Sequence, residues 1–488
     1  MMQLPDSLWH LAAHNALGEA DLAFADLVGR MQGTLNEPLL LAAALAFAAQ
    51  EAGHSCFDLP AYAETVFPRT ADDGAGDEGR PPFFITLPAL EPWLVALKNA
   101  PAVVASAHAE STLMRPLVLD GCGRLYLHRF YQQERQVASA IRERALQPVA
   151  LPREMVGTLG SLLDEAFGPH APWQQFACFL ALTRNFMVLS GGPGTGKTHT
   201  MARLAAILLT ADPRLRIRLA APTGKAANRM MESIRDAKRS LPACLGAGCH
   251  IPDNAETLHR LLGASSDGSN FRRNRGNPME GDVVIVDEAS MIALPMMATL
   301  LDALPANCRL ILLGDMDQLA SVDPGAVLGD ICRAAGAGHV FSSAVRSAYR
   351  EATGRDALLP DISWTGQPGL GDCLVTLTQS RRFSPAHPVA VIGRAVRDAS
   401  DEVGAREAFH VYSSLAANPE SGMHWHAVTG ASLLDAGQQP LAALRECIWN
   451  GYLALLNADS PEAALAALKR FRILCAVRKG PFGVDALN

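Results

Sequence analysis

A glycine-rich segment between two apolar stretches constrains this chain more than any other feature. Residues 191–198 read Gly-Gly-Pro-Gly-Thr-Gly-Lys-Thr and fit the pattern G-x-x-x-x-G-K-[ST]. The apolar run 186–189 before it predicts a buried parallel strand, and apolar residues at helical spacing after it predict a helix. A loop that joins a strand to a helix in this way points its backbone amides at phosphate oxygens. The predicted fold class is therefore α/β, with a parallel sheet built around a phosphate-binding loop.

The residue types in this loop predict a nucleotide site. Lys197 is expected to reach the β- and γ-phosphates of ATP, and the Thr198 hydroxyl is expected to bind Mg²⁺. Upstream, Gln174 is a candidate for adenine recognition because an amide both donates and accepts hydrogen bonds, although a surface glutamine fits the sequence equally well. The other candidate nucleotide contacts are the neighbouring loop residues Gly191, Gly192, Pro193, Gly194, Thr195, Gly196 and His199.

Two further apolar strands end in polar side chains. Residues 282–288 read Asp-Val-Val-Ile-Val-Asp-Glu, as in a Walker B element. Asp287 is predicted to hold Mg²⁺ and Glu288 to polarise the attacking water. The alternative for Asp287 is a helix N-cap. Gln318, after the apolar run 310–313, is predicted to sense the γ-phosphate through a hydrogen bond.

Polar and basic residues also follow two predicted strand-to-helix turns. Thr223 and Lys225 lie in Pro-Thr-Gly-Lys-Ala-Ala, directly after the predicted strand 216–221. Thr257 and His259 begin an apolar helix further on. Ligands bind at the carboxyl ends of parallel strands, and hydroxyl and basic groups suit phosphodiester contact. We therefore predict that these four residues bind DNA, with an ordinary strand-to-helix turn as the alternative.

Composition narrows the class of protein. Hydrophobic residues make up 49% of the chain and charged residues 19%, which predicts a large core. The net charge of −7 argues against a globally basic nucleic-acid coat but not against a local basic groove. No apolar run is long enough for a membrane span, and no secretory signal is visible. Ten scattered cysteines indicate reduced thiols and hence a cytoplasmic protein. Because no membrane span is expected, we also expect no membrane partner.

The motifs, in this order, resemble those of superfamily 1 DNA helicases. The sequences of these motifs are more similar still to those of the RecD family, the alpha subunits of exodeoxyribonuclease V. The resemblance covers essentially the whole chain. It implies an ATP-dependent 5′→3′ DNA helicase that works beside RecB and RecC in double-strand break repair and homologous recombination. The implied substrates are single-stranded and duplex-end DNA, and Arg382 in the Ser-x-Arg-Phe motif is implied to contact the γ-phosphate from a second lobe.

The resemblance also implies a domain order. We expect a mainly helical partner-docking domain over 1–150, a RecA-like ATPase lobe over 151–365 with a small insertion near 264–281, and a partial second RecA-like lobe over 366–488. The family continues beyond the motif at 480–483 with a DNA-contacting motif and an arginine finger. The expectation is thus a C-terminally truncated chain, and an ATP-binding assembly subunit without motor activity is the alternative function. A P-loop NTPase unrelated to DNA is a third class, which the motifs at 222–227 and 314–319 disfavour.

Overall fold

The computed structural model divides the chain into two compact units, residues 1–382 and residues 383–488. It describes the chain from residue 4 to residue 484, except for residues 34, 69–82, 106–114, 266, 267, 269, 320, 322, 337, 338, 357, 358, 360, 381, 382, 400, 401, 419–422, 424–438 and 476–482.

The first part of unit one is mainly helical, as predicted, and also contains a small sheet. Its helices are α1 Asp6–Ala13, α2 Glu19–Gln32, α3 Glu37–Glu51, α4 Leu59–Tyr62, α5 Leu90–Lys98 and α6 His128–Leu146. Its strands are β1 Cys56–Asp58, β2 Val66–Phe67, β3 Ile85–Thr86, β4 Val103–Ala105, β5 Leu117–Leu119 and β6 Arg124–Leu127. Four of them form a sheet in the order β1-β6-β5-β4, and β2 pairs with β3 separately.

Local sequence accounts for the best-defined of these elements. The run of leucine and alanine in α3 is apolar on almost every side, so the helix lies in the core, and the Asn36 side chain caps it by accepting from the Leu39 amide at 3.2 Å. Asp120 shapes the turn before β6 by accepting from the amides of Cys122 at 2.9 Å and Arg124 at 2.8 Å. The short β5 and β4 carry no comparable signal, and the sequence analysis did not predict them.

The second part of unit one is built on a parallel sheet. Its strands are β7 Phe186–Gly191, β8 Ile217–Ala221, β9 Glu256–Thr257, β10 Val283–Val286, β11 Arg309–Gly314 and β14 Leu374–Leu377, and the order is β14-β7-β11-β10-β8-β9. A two-stranded sheet of β12 Val340–Ser342 and β13 Ser363–Thr365 lies outside it. The helices are α7 Leu159–Phe167, α8 Pro172–Thr183, α9 Lys197–Ala211, α10 Gly224–Arg239, α11 Leu258–Leu262, α12 Leu294–Ala303, α13 Val327–Ala334 and α14 Ser343–Thr353.

Alternation along the strands divides the apolar residues between two cores. Met187 and Leu189 of β7 face a core formed with α8 and α9. Phe186 and Val188 face the opposite side, where the core continues without a break into the helices of the N-terminal region. Because one core spans both parts, residue 150 does not separate two compact units.

The end of unit one differs from the expectation. The abundance of glycine, serine and proline over 334–371 predicts a loop-like connection between domains, but these residues contain β12, α14 and β13. The run 373–377 predicts a short strand of the second lobe, whereas β14 pairs in parallel with β7, with Thr376 opposite Ser190. The boundary between the units therefore follows residue 382 rather than residue 365. A strand's partner is a tertiary choice that the apolar pattern does not specify.

Unit two is helical in its described residues. It contains α15 Pro388–Asp398, α16 Glu402–Ala416, α17 Gln439–Leu456 and α18 Pro461–Leu468. The sequence itself predicts helices near 441–457 and 461–469, and α17 and α18 match them. It also predicts a strand over 472–477, but residues 472–475 adopt no regular structure, and residues 476 and 477 lie outside the described residues.

Candidate nucleotide-binding site

The glycine-rich loop joins β7 to α9 at the carboxyl edge of the sheet, as the sequence predicts. Gly194 and Gly196 have φ values of 79° and 90°, in the left-handed region that favours glycine. Gly191 is required for a different reason, since a Cβ atom there would lie 2.8 Å from the Leu377 carbonyl oxygen of β14. α9 is 15 residues long and begins at Lys197, so its N-terminus presents the positive end of the helix dipole to this loop.

The Lys197 side chain lies along the loop and inside a group of acids. Its ammonium donates to the Gly191 carbonyl and, at 3.2 Å, to the Gly192 carbonyl. Burial lowers the pKa of Lys197, and the nearby carboxylates of Asp315, Asp287 and Glu288 act in the opposite direction. The fold thus brings three acids, from the ends of two strands, close enough to affect one lysine.

The other loop side chains differ in exposure. Thr195 is buried and donates to the Gly192 carbonyl at 2.8 Å, which stabilises the turn. Thr198 is partly buried, while Pro193 and His199 are exposed. The His199 ring contacts the Arg203 guanidinium. Thr195 thus belongs to the loop and Thr198 to the first turn of α9, and the Thr195 hydroxyl already donates a hydrogen bond within the loop.

Asp287 and Glu288 follow β10 directly. The Asp287 carboxylate accepts from the Glu288 amide at 2.9 Å, and Glu288 itself has a φ of 54°. Left-handed backbone in a non-glycine residue costs energy and is concentrated at functional sites. Burial raises the pKa of Asp287 to about 6, and the Glu288 charge adds to this effect, whereas the Glu288 amide and Lys197 oppose it. Asp287 is not an N-cap, because Glu288 occupies that position before the short 3₁₀ helix Ala289–Met291.

The loop after β11 is tied to the phosphate-binding loop. Ser190 at the end of β7 accepts from the Met316 amide at 3.3 Å. Asp315 is only 4% exposed and accepts from the Asp317 amide at 3.1 Å. Gln318 is exposed, and its amide donates to the Asp315 carbonyl at 3.3 Å. Asp315 is not among the site residues predicted from the sequence, although an acid directly after a buried strand is the signal that identified Asp287.

Gln174 lies near the start of α8 and is partly buried. Its neighbour Gln175 is buried and structural: it donates to Asp164 at 3.1 Å and to the Gly168 carbonyl at 2.9 Å, and it accepts from Arg355 at 2.9 Å. Of the two adjacent glutamines, Gln174 is thus the better candidate for contact with a ligand.

The four residues predicted to contact DNA lie at the ends of β8 and β9. Thr223 caps α10 by accepting from the Ala226 amide, and Thr257 caps α11 by accepting from the Arg260 amide, both at 3.2 Å. Lys225 and His259 are exposed. Since β8 and β9 pair in parallel, all four are placed at one edge of the sheet.

The predicted insertion near 264–281 forms antiparallel bridges between Ala264 and Phe271 and between Asn274 and Asn277. The Phe271 ring lies 6.0 Å from the His259 ring, measured between centroids. Arg382 lies outside the described residues, so its predicted phosphate contact stays a prediction.

A parallel sheet, a phosphate-binding loop and acids at the ends of the central strands together define a P-loop NTPase. Two family models match the chain: the N-terminal domain of RecBCD enzyme subunit RecD over residues 13–126, and an AAA domain over residues 174–324.

Individual proteins of similar sequence identify the family more specifically than the two family models do. RecBCD enzyme subunit RecD of Mycolicibacterium smegmatis is 33% identical, over 97% of this chain and 72% of that protein. The subunit of the same name from Mycobacterium tuberculosis strain H37Rv is 34% identical, over 96% of this chain and 69% of that protein. The ATP-dependent RecD2 DNA helicase of Deinococcus radiodurans is 34% identical, over 44% of this chain and 27% of that protein. The chain belongs to the family of RecD subunits of the RecBCD enzyme.

Two features are absent from the described residues. No helix in this part of the chain is long and apolar enough to cross a membrane. Nor does it contain a group of three or more histidine, cysteine or acidic side chains arranged to hold a metal ion.

Proposed function

We propose that this chain is the ATP-dependent DNA helicase subunit of a RecBCD-type helicase–nuclease, acting in the cytoplasm at duplex DNA ends and on single strands in the 5′→3′ direction. The observation that carries this proposal is the arrangement around Lys197. A P-loop lysine among Asp287, Glu288 and Asp315 is what hydrolysis of a nucleoside triphosphate requires, and it occurs in a member of the RecD family.

Lys197 supplies the cationic contact in this scheme. Its ammonium exchanges the Gly191 and Gly192 carbonyls for phosphate oxygens, which are stronger acceptors because they are charged. Thr198 and Asp287 provide the hard oxygen ligands that suit Mg²⁺. When bound, this ion neutralises the charge that develops on the phosphates.

Glu288 and Gln318 act on the attacking water and the γ-phosphate. Glu288 accepts the proton of the water as general base. Gln318 lies in the loop after β11, which the Met316 amide ties to Ser190 directly before the phosphate-binding loop, and it senses the γ-phosphate through a hydrogen bond. We further propose that Gln174 contacts adenine and that Arg382 reaches the γ-phosphate.

Other parts of the chain contact DNA, dock on the partner subunits and contribute to a second lobe. Thr223, Lys225, Thr257 and His259 contact the DNA backbone along the edge formed by β8 and β9. Residues 1–150 dock on the RecB and RecC subunits. Residues 383–488 contribute to a second lobe.

ATP turnover by the purified chain, with and without single-stranded DNA, tests this proposal. We expect DNA to stimulate turnover, Lys197→Gln to abolish it, and Glu288→Gln to lower kcat by a factor of about 10² to 10⁴ while ATP binding persists. His250→Phe, at an exposed residue that belongs to none of the motifs, serves as control. ATP binding without turnover in the wild-type chain, even after addition of RecB and RecC, would contradict the motor and favour an assembly role. Displacement of streptavidin from only the 3′ end of an oligonucleotide is the result expected for 5′→3′ movement.

A further inference from the structure

An imidazole lies where two elements of the nucleotide site meet. β14 is the outer strand of the parallel sheet, next to β7, which carries the phosphate-binding loop. His339 precedes β12, and its Nε2 atom lies 2.9 Å from the Thr376 carbonyl oxygen and 3.3 Å from the Thr376 amide nitrogen. The ring thus bonds to the backbone of β14, which is an edge strand of the sheet within the described part of the chain.

The same ring is stacked on a tryptophan beside the proposed adenine contact. The ring centroids of His339 and Trp173 are 3.6 Å apart, with 27° between the planes. Trp173 lies next to Gln174 near the start of α8. One side chain therefore connects the start of α8 to β14.

β14 in turn limits the phosphate-binding loop. The Leu377 carbonyl oxygen would lie 2.8 Å from a Cβ atom at Gly191, so strand and loop are packed as closely as glycine permits. Three residues further on, the Ser380 hydroxyl donates to the Pro193 carbonyl at 3.2 Å. A displacement of β14 is thus transmitted to the loop.

Burial favours the neutral form of the imidazole. It lowers the pKa of His339, against the opposing influence of the Thr376 carbonyl and Asp361. A neutral imidazole carries one N–H, and the shorter contact indicates that Nε2 donates it to the Thr376 carbonyl.

We propose that His339 is a positioning residue of the nucleotide site: by stacking on Trp173 and bonding to Thr376, it fixes the adenine-facing start of α8 relative to the phosphate-binding loop and so sets the affinity and base preference for ATP. This inference rests on the proposed function, because it assumes that Gln174 faces the base.

Two variants separate the two contacts. His339→Phe keeps a ring for stacking but removes the bond to Thr376, and His339→Gln keeps a terminal N–H donor but removes the ring. We expect each to weaken ATP binding about tenfold, which corresponds to about 1.4 kcal/mol. We also expect each to narrow the difference between the dissociation constants of ATP and GTP, while kcat at saturating ATP changes by less than about twofold.

Thermal melting first shows whether each variant is folded. Equilibrium titration with ATP and with GTP then tests the inference by measuring the two dissociation constants. His250→Phe is the matched control and should bind both nucleotides like the wild type. The inference is overturned if both His339 variants keep the wild-type affinities, or if only kcat falls. Since binding needs no turnover, a wild-type chain that binds ATP without hydrolysing it would count against the proposed function, and the His339 variants would still decide this inference.

Discussion

Thr223 and Thr257 show how one side chain can serve two purposes. Each hydroxyl oxygen accepts a backbone hydrogen bond at the start of a helix, which is worth about 1 kcal/mol. The same hydroxyl retains a proton that it can donate to a phosphate oxygen. The ordinary turn and the proposed DNA contact are therefore compatible, and a loss of stability on alanine substitution would not distinguish them.

Asp287 is the residue for which function and stability conflict most clearly. Burial raises its pKa from 3.8 to about 6, so the folded chain favours the protonated carboxyl. Its contribution to stability is complete below pH 3.8 and is lost as the pH rises through about 6. We expect Asp287→Asn to abolish ATP turnover yet stabilise the chain at pH 7.5 by about 1 to 3 kcal/mol, since one pKa unit equals about 1.4 kcal/mol.

Melting of both proteins in EDTA at several pH values measures this effect. The gain in the variant should shrink as the pH falls below 6 and should vanish near pH 4, where the wild-type carboxyl is also protonated. Asp302→Asn is the control, because it also replaces an aspartate by asparagine, but at a carboxylate that forms a 3.4 Å ion pair with Arg275. If Asp287→Asn destabilised the chain equally at all pH values, the free energy of unfolding would not depend on a raised pKa of the Asp287 carboxyl group.

At the scale of elements, α6 of the N-terminal region packs along α12, the helix that follows the Walker B acids. Gln136 donates to the Ala298 carbonyl at 3.3 Å. Arg144 is buried and donates to the carbonyls of Leu304 at 3.5 Å and Pro305 at 3.4 Å. These carbonyls lie at the C-terminal end of α12, where a cation is favoured by the helix dipole. Burial lowers the pKa of Arg144, which shows that this favourable contact is made at a desolvation cost.

Arg144 should therefore matter for the stability of unit one. We expect Arg144→Met to lower the free energy of unfolding by about 1 to 3 kcal/mol, because it leaves buried carbonyls without a donor. Arg144→Lys should recover part of the loss. The control Arg142→Met changes an exposed residue of the same helix and should alter stability by less than about 0.5 kcal/mol. Urea unfolding measures all three, and equal effects of the methionine variants would refute the assigned role.

At the scale of the whole molecule, one core runs from the N-terminal helices to one face of the parallel sheet. A partner bound to the N-terminal region would thus act on a body that is continuous with the nucleotide site. That region also exposes apolar side chains: Leu27 and Met31, four residues apart on α2, are 48% and 47% exposed. Apolar side chains at this spacing lie on one helix face, which suits a protein partner.

We expect the double variant Leu27→Ser and Met31→Ser to bind RecB and RecC at least about tenfold more weakly without loss of stability, because it removes apolar area from the interface only. Leu465→Ser, at a residue of unit two that is 62% exposed, controls for the loss of an exposed leucine. Co-elution of each variant with the two subunits at several concentrations provides the measurement. Wild-type affinity in the double variant would place the docking surface elsewhere.

Several parts of this protein could be predicted from local signals in the amino-acid sequence. A phosphate-binding loop needs glycine where the backbone is left-handed or crowded, so its pattern at 191–198 is visible without a fold. The same holds for acids placed directly after an apolar strand, such as Asp287 and Glu288. The order of such motifs along the chain was enough to predict the protein family.

The contacts between distant segments could be seen only in the folded chain. The apolar run of β14 suits any buried strand, and pairing with β7 assigned it to the first sheet. His339 became notable only when folding placed it between Trp173 and Thr376. The continuous core across residue 150 was hidden for the same reason: packing joins residues that are distant in sequence, and local periodicity carries no record of the partner.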